Sequence, residues 1–397
     1  MRIAVWSPLP PQPSGIADYT YRLLEELRES VDLTAVVREG WGDVVTAPEG
    51  VPVVEAPLVT EAVDGHLYMM GNEPRFHGYL LGSLYRNPGV TVLHDPALVE
   101  FYAAICGGPH TPLFRTELRY NCPDLTPGAP LPTVEVDGTK EPDRLAMLLS
   151  RRVVTASRLT LVHSRWVRDL LRSRFGDVAV ESLPLGAELP ATAVTPGSGP
   201  TVVFGTFGGM NHYKRLPVVL EAFAEVVARH PGCRLVVAGR ADDRDLVGQL
   251  RASIEELDLG ASVDLRTDVE LDELDRLITS CDVVLSLRWP TAGEMSATLM
   301  RALGSGRPVV LTDLPQFGDL DDAFAWRVPR GGERERLVEL MAAVAADPSV
   351  AARAGAAARR WVEDEASFAV VARRYHRYLV DAVDGPPSGR GDVPGGR

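Results

Sequence analysis

Two stretches of this sequence bring together residues that could hold a phosphorylated ligand. The first is Gly293-Glu294-Met295-Ser296-Ala297-Thr298-Leu299-Met300-Arg301-Ala302-Leu303-Gly304-Ser305-Gly306, which reads as a loop, a helix and a glycine stop. The apolar run Asp282 to Leu287 before it reads as a buried strand, and Val309-Val310 after it as the next one. A helix that starts after a parallel strand offers free N–H groups to an anion such as a diphosphate, here those of Met295, Ser296 and Ala297. Glu294 at that start is suited to hold a sugar hydroxyl or to meet developing positive charge. Taken alone, an ordinary βαβ turn with one acidic residue reads the same way.

The second stretch is Phe204-Gly205-Thr206-Phe207-Gly208-Gly209-Met210-Asn211-His212-Tyr213-Lys214-Arg215-Leu216, between the strand-like Thr201 to Phe204 and a helix from Pro217 to Ala228. Glycines let backbone come close to a ligand, and a cation completes a phosphate site. Lys140 and Lys214 are the two lysines in a chain whose other fixed side-chain cations are arginines. A lysine in this turn suggests a need for a compact point charge, although a solvated surface lysine is the plainer alternative.

Together these stretches resemble the donor half of retaining glycosyltransferases of the GT-B fold, in the family 4 group of nucleotide-sugar enzymes. Ser7-Pro8-Leu9-Pro10-Pro11-Gln12-Pro13-Ser14-Gly15-Ile16-Ala17-Asp18-Tyr19 is similar to that family's first strand and Gly-containing loop. Gly71-Asn72-Glu73 with His77, then Pro88 to Asp95, resembles its middle strands, and Val162-His163-Ser164 a later strand end. The resemblance spans almost the whole chain and rests on the order and spacing of the pieces. It implies an α/β protein of two Rossmann-like, doubly wound domains facing a central cleft, with the donor nucleotide on the second and the acceptor on the first. It further implies catalytic roles for His94, Lys214 and Glu294, and donor contacts from Gly15, Asn211, Arg215, Arg240, Val269, Met295, Ser296 and Ala297. Asp18, Tyr19 and Asn72 would face the acceptor, although Asp18 is also explained as a helix-start residue. Such enzymes retain anomeric configuration, with the leaving phosphate thought to take the acceptor proton, so no protein base is assigned. Neither a metal nor a further cofactor is expected. Asp242-Asp243 and Asp319-Leu320-Asp321-Asp322 read as solvated loop acids, since calcium-loop spacing is missing.

Two features depart from the family pattern. Its signature has two glutamates separated by seven residues; here Gly293 and Arg301 fill those slots, with Glu294 one residue displaced. A branch with a GE…RALG variant looks like this, and the change bears on the ribose contact and nucleotide identity. The arginine expected about five residues before the loop lysine is replaced by Gly209, which leaves Arg215 or Asn211 to substitute.

The frame agrees with this reading. A length of 397 residues with 45% hydrophobic content is enough for two or three domains with sizeable cores. A net charge of −13 argues against nucleic-acid binding and lends nothing to adhesion on anionic membranes. With no apolar run of transmembrane length and four scattered cysteines in no metal-ligand pattern, a cytoplasmic protein is expected. Strands are expected at Ile3 to Trp6, Leu33 to Val37, His66 to Met70, Val90 to Leu93 and Thr160 to His163. In the second half they are expected at Thr201 to Phe204, Arg234 to Ala238, Val263 to Leu265, Val283 to Leu287 and Val309 to Thr312. Alternation with helices, such as Ala17 to Arg28, implies parallel sheets. Residues 1–186 form the first domain and 187–366 the second, around a linker-like Ala191 to Pro200. A last helix over 367–384 is expected to cross back onto the first domain, as in the GT-B fold, and 385–397 to be a disordered tail. The Pro/Gly-rich insert Gly107 to Pro142, with a helical turn at Phe114 to Arg119, is placed near the acceptor cleft. The partners implied are a nucleotide-sugar donor and a glycan or small-molecule acceptor. A phosphorylase or epimerase on the same scaffold, or a catalytically silent nucleotide- or sugar-binding subunit, are the alternatives; an epimerase would need a second carboxyl beside Glu294. A nicotinamide-linked dehydrogenase fits poorly, since no Gly-x-Gly-x-x-Gly follows the first strand.

Overall fold

The computed structural model of the chain describes residues 1–57, 62–125, 128–190, 196 and 201–385. Nearly all of the linker and the tail after Gly385 lie outside these residues. The strands of the first half are β1 (Arg2–Trp6), β2 (Asp32–Val37), β3 (Val53–Glu55), β4 (Gly65–Met70), β5 (Val90–Leu93), β6 (Thr133–Val136), β7 (Thr139–Pro142), β8 (Leu159–Val162) and β9 (Val180–Ser182). Seven of them form a sheet in the order β3-β2-β1-β4-β5-β8-β9, while β6 and β7 pair as an antiparallel hairpin. The second half contributes β10 (Val203–Phe207), β11 (Arg234–Gly239), β12 (Val263–Thr267), β13 (Val283–Ser286), β14 (Val309–Thr312) and β15 (Ala325–Val328), in the order β12-β11-β10-β13-β14-β15. Every pairing in the two large sheets is parallel.

Parallel strands covered on both faces must be apolar throughout, and Val90–Leu93, Val283–Ser286 and Val309–Thr312 are buried at every position. Apart from β12, the strands at the sheet edges, β3, β9 and β15, are short and carry Glu55, Glu181 and Arg327. Their pattern is weak for that reason, and apolar runs alone miss them.

The covering helices of the first half are α1 (Gly15–Leu27), α2 (Pro74–Arg86), α3 (Val99–Ile105), α4 (Pro112–Asn121), α5 (Arg144–Met147), α6 (Arg151–Ala156) and α7 (Arg165–Phe175). Those of the second are α8 (Leu216–Arg229), α9 (Arg244–Glu256), α10 (Leu271–Ser280), α11 (Ala297–Gly304), α12 (Glu333–Ala346) and α13 (Ser349–Trp361), followed by a π-helical turn, Val362–Ala366, and α14 (Phe368–Asp384). The insert is more ordered than a single turn: Thr111 caps α4 through Phe114 N–H, and the hairpin follows. Among the described residues no helix is long and apolar enough to cross a membrane. The four cysteines are buried free thiols.

The two halves share apolar packing. One buried cluster runs from Ile3 and Leu24 through Tyr375 and Leu379 to Leu299 and Val309. Helix α14 carries it, lying against α1, β4 and β5 of the first half. Its Tyr375 hydroxyl meets that of Tyr19 at 3.2 Å, and Ala187 bridges Ser367 where the chain passes between halves.

Candidate active site

The loops that follow β5, β10, β13 and the start of α1 converge where the two sheets present their carboxyl ends, the usual ligand end of such sheets. In the loop after β10, Lys214 is buried and its Nζ donates to the carbonyl of Phe207 at 3.0 Å. Burial pushes its ammonium down to about 7, and the guanidinium of Arg288 adds to this, against the opposing pull of Glu294 and Asp242. Arg288 follows β13, where its N–H donates to Thr312 Oγ1 at 2.8 Å. Its guanidinium pairs with Glu294. Glu294 also accepts from Ala292 N–H at 2.8 Å and from the Thr291 hydroxyl at 3.2 Å. Burial pushes the Glu294 carboxyl up, but Arg288 and the Ala292 N–H outweigh it and hold it below its ordinary value. Two cations and one ionised carboxylate thus share one small volume.

Across from them stands the turn after β5. Asp95 accepts the N–H of Asn72 at 2.9 Å, and burial with the charge of Glu294 raises its carboxyl to about 6. His94 is buried, with Nδ1 2.9 Å from His163 Nε2 and its own Nε2 without a partner. Gly293 makes the close approach possible. It has φ of +85°, and a Cβ there would lie 2.7 Å from Pro96 Cγ and 3.1 Å from Leu145 Cδ2 of the first half.

Several expected contacts are corrected. Helix α11 begins at Ala297, with Ser296 as its cap accepting from Leu299 N–H, so Glu294 and Met295 lie in the loop before it. Of the three N–H groups named from the sequence, those of Met295 and Ser296 precede the helix, and Ala297 alone belongs to its first turn. Ser296 acts instead as a cap, its side chain oxygen being the group that competes for the turn. Arg215 does not stand in for the missing arginine: its guanidinium is taken by Asp137 and by Glu333 Oε2, at 2.8 Å from Nη2. Tyr19 is buried, with its hydroxyl on Tyr375 and its ring edge-on to His94, so it does not face an acceptor. Asn72 is committed to Glu100 and to the N–H of Phe101, at 3.0 Å.

Gly15 is exposed at the start of α1, and Asp18 is half-buried one turn on, its carboxyl raised by burial against the pull of Arg301 and Arg22. Arg240 is exposed, bonded to Asp242 at 2.5 Å and 3.5 Å from the Pro13 carbonyl of the first half. Asn211 keeps a buried Oδ1 without a partner beside the Lys214 turn. Val269 is half-buried and packs on the shared core. Arg301 grips Asp275 through Nη1, at 2.9 and 2.8 Å to the two oxygens. Gly209 stands beside the Asp242 carboxylate, whose Oδ2 lies 1.9 Å from where a Cβ would be and would have to turn aside for any side chain there. The loop acids have other partners, with Asp243 capping α9, Asp319 paired with Arg165 and Asp322 with Arg327.

Sequence reasoning missed Arg288, Asp95 and the clasp made by the insert. The β6–β7 hairpin reaches the second half, where Asp137 meets Arg215 and the Glu135 carbonyl accepts from Trp289 Nε1 at 3.4 Å. Arg144 just after it bonds the Tyr213 hydroxyl at 2.7 Å and lies 4.7 Å from that ring's centroid. Tyr213 and Arg215 flank Lys214, so the insert holds the lysine turn from both sides. Asp95 was visible beside His94, and Arg288 as a cation closing a buried strand; only their convergence needed the fold.

Residues 201–347 match the family model described as glycosyl transferases group 1. No curated protein matches the sequence. Among solved structures, HepE of Anabaena in complex with UDP and glucose is 15% identical, with 96% of this chain and 100% of that one covered and a TM-score of 0.67. The sucrose-phosphate synthase of Thermosynechococcus elongatus is 14% identical, with 96% and 98% covered and a TM-score of 0.69. WaaG, a glycosyltransferase involved in lipopolysaccharide biosynthesis, is 13% identical, with 97% and 100% covered and a TM-score of 0.61. At these identities the likeness is one of fold: the chain has the GT-B fold, and its residues 201–347 form a domain matching glycosyl transferases group 1.

Proposed function

We propose that the protein transfers a sugar, with retention of anomeric configuration, from a nucleoside-diphosphate sugar to a hydroxyl of a glycan or small metabolite. The observation that carries this reading is the cluster of Lys214, Arg288 and Glu294 at the carboxyl ends of the second sheet, opposite His94 and Asp95 of the first. Negative charge grows on the diphosphate as the glycosidic bond breaks, and fixed cations in a dry site stabilise that charge most. Lys214 takes one phosphate, Arg288 supplies the second cation that position 209 lacks, and the first turn of α11 adds its N–H groups. Glu294, ionised and held by Arg288, binds sugar hydroxyls, Gly15 lets the backbone of the first half approach the donor, and Asp18 lines the acceptor side. HepE bound to UDP-glucose favours a nucleotide sugar as donor for this chain as well. The family 4 assignment, independence of metal and a cytoplasmic location belong to the same proposal.

One observation favours a second reading. Asp95 is a carboxyl of pKa about 6 beside His94, in the field of Glu294. Such a group could take the acceptor's proton, which would invert the anomeric centre. Incubation with nucleotide sugars and acceptors, followed by proton NMR of the product's anomeric coupling, separates the two. Product of the donor's own configuration supports retention, the opposite configuration transfers the role to Asp95, and no transfer from any donor sinks both.

A further inference from the structure

The short helix α5, just after the insert, touches both ligand loops of the second half. Leu145 Cδ2 lies 3.1 Å from where a Cβ on Gly293 would stand, next to Glu294. Arg144 reaches the lysine turn, where its Nη2 donates to the Tyr213 hydroxyl at 2.7 Å. Its Nε turns the other way and donates to Glu100 Oε1 at 2.5 Å, with the side chain 11% exposed. Glu100 shares its carboxylate: the second oxygen accepts from Asn72 Nδ2. The direction of that bond is fixed, because Asn72 Oδ1 takes the N–H of Phe101, which can only donate. The backbone N–H of Asn72 then donates to Asp95 Oδ2 at 2.9 Å. An unbroken chain of bonds therefore runs from the residue before Lys214, through Arg144, Glu100 and Asn72, to the carboxylate beside His94. Its crossing between the halves is the bond from Arg144 to Tyr213. A planar guanidinium, with several donors in fixed directions, suits such a junction. On the far side the Tyr213 carbonyl takes the N–H of Trp289 at 2.8 Å, so the loop of Arg288 is joined to the lysine turn.

We propose that Arg144 is a positioning residue: it ties the joined loops of Lys214 and Arg288 to the turn of His94 and Asp95, and so sets the cleft width at which the two halves act on one substrate. The inference rests on the nucleotide-sugar reading above for its substrate, but not for the tie itself. Groups carried on two bodies act together only at one spacing, and a displacement of about 1 Å can cost about 100-fold in rate. Lys214 and Arg288 both belong to the second half, so affinity for a nucleoside diphosphate does not depend on the tie. The approach of Asp95 to Glu294 across the cleft does.

The test uses the full chain as wild type, Tyr213→Phe, which removes one hydroxyl and no charge, and Arg144→Met, which removes the whole junction. Two readouts need no substrate. Spin labels on Val44→Cys and Leu257→Cys, exposed positions of the first and second halves, report the distance between the halves, the native cysteines being buried. Wild type should give one narrow distance, and Arg144→Met a broader distribution extended to longer distances. Carbon-13 NMR of labelled aspartate, assigned with Asp95→Asn, follows the carboxyl that faces Glu294, Arg288 and Glu100 and titrates at about 6. In Tyr213→Phe its midpoint should fall by about half a unit or more, as water enters and Glu294 recedes. A role in stability alone would leave that midpoint where it is. UDP, the third probe, should bind Tyr213→Phe within about twofold of its wild-type affinity. An unchanged distance distribution in Arg144→Met, or an unmoved Asp95 midpoint in Tyr213→Phe, would overturn the inference. So would UDP affinity about tenfold weaker in Tyr213→Phe, which would place the effect inside the donor half. A wild type that binds no UDP would count against the nucleotide-sugar reading instead, and the first two readouts would still decide the tie.

Discussion

Lys214 should take up a proton when a nucleoside diphosphate binds. Its ammonium is held at about 7 by burial and by Arg288. Near pH 8 such a group is about one-tenth charged, whereas beside a diphosphate it should return toward its ordinary value of about 10.4 and be fully charged. The predicted uptake is therefore about 0.9 proton per site near pH 8, falling to about 0.1 near pH 6, where the lysine is charged beforehand. The sign follows from the charge: the anion favours the protonated lysine, so affinity should strengthen as pH falls from 8 to 7. Charging the lysine near pH 8 costs about 1.4 kcal/mol of the binding free energy. Titration calorimetry in buffers of different ionisation enthalpy measures this directly. The nucleotide's own phosphate also titrates, so the quantity to compare is the wild-type uptake less that of Lys214→Met. A difference near zero, or net proton release, would refute the reasoning.

Other consequences follow from the same contacts. Arg288→Ala should weaken nucleoside-diphosphate binding by about 1.5–3 kcal/mol, the range for a hydrogen bond to a charged group; adding Glu294→Gln should restore stability in urea melts but not affinity, since Glu294 would no longer be a buried charge without its partner. Gly293→Ala should cost about 1–3 kcal/mol from its positive φ and should also hold the halves apart at Pro96, visible as a larger radius of gyration and a lower kcat/KM; an unchanged radius would contradict the closed contact. In the clasp, Glu333 is 6% exposed and Asp137 69%, so Glu333→Gln should cost about 3 kcal/mol and Asp137→Ala less than about 1 kcal/mol, read from urea midpoints. His77 and His163 are held at about 4 by burial, against about 6.5 when unfolded. Below the unfolded value the unfolded chain binds more protons, so their contribution is complete above pH 6.5 and is lost toward pH 4, by up to about 1.4 kcal/mol per pH unit for each; urea melts at pH 7 and pH 5 of equal midpoint would contradict this.

How far the sequence reveals this molecule depends on what each element asks of its residues. Buried parallel strands such as Val309–Thr312 must be apolar at every position, so they announce themselves; β9, paired on one side, has no such need and stays hidden. Lys214 and Glu294 were legible because a lone lysine in a glycine turn and an acid after a buried strand are local patterns. The start of α11 was misplaced by two to three residues because Ser296 had to be recognised as a cap inside a run of small residues. Arg215 looked available as a cation because its partners, Asp137 and Glu333, are 78 and 118 residues away. Arg288 was overlooked for the converse reason: the family pattern directs attention to position 209, where glycine stands against the Asp242 carboxylate. The pairing of His94 with His163 required two separate strand ends to meet, a contact that no spacing encodes.

The most direct test of the central claim is thermal stabilisation of the purified protein by UDP, GDP, ADP and dTDP, with inorganic phosphate as control. At about 100 times its dissociation constant a ligand should add about 2.7 kcal/mol to stability. The account predicts such a response to at least one nucleoside diphosphate and its loss in Lys214→Met. No response to any of the four, or a response that Lys214→Met retains in full, would contradict it.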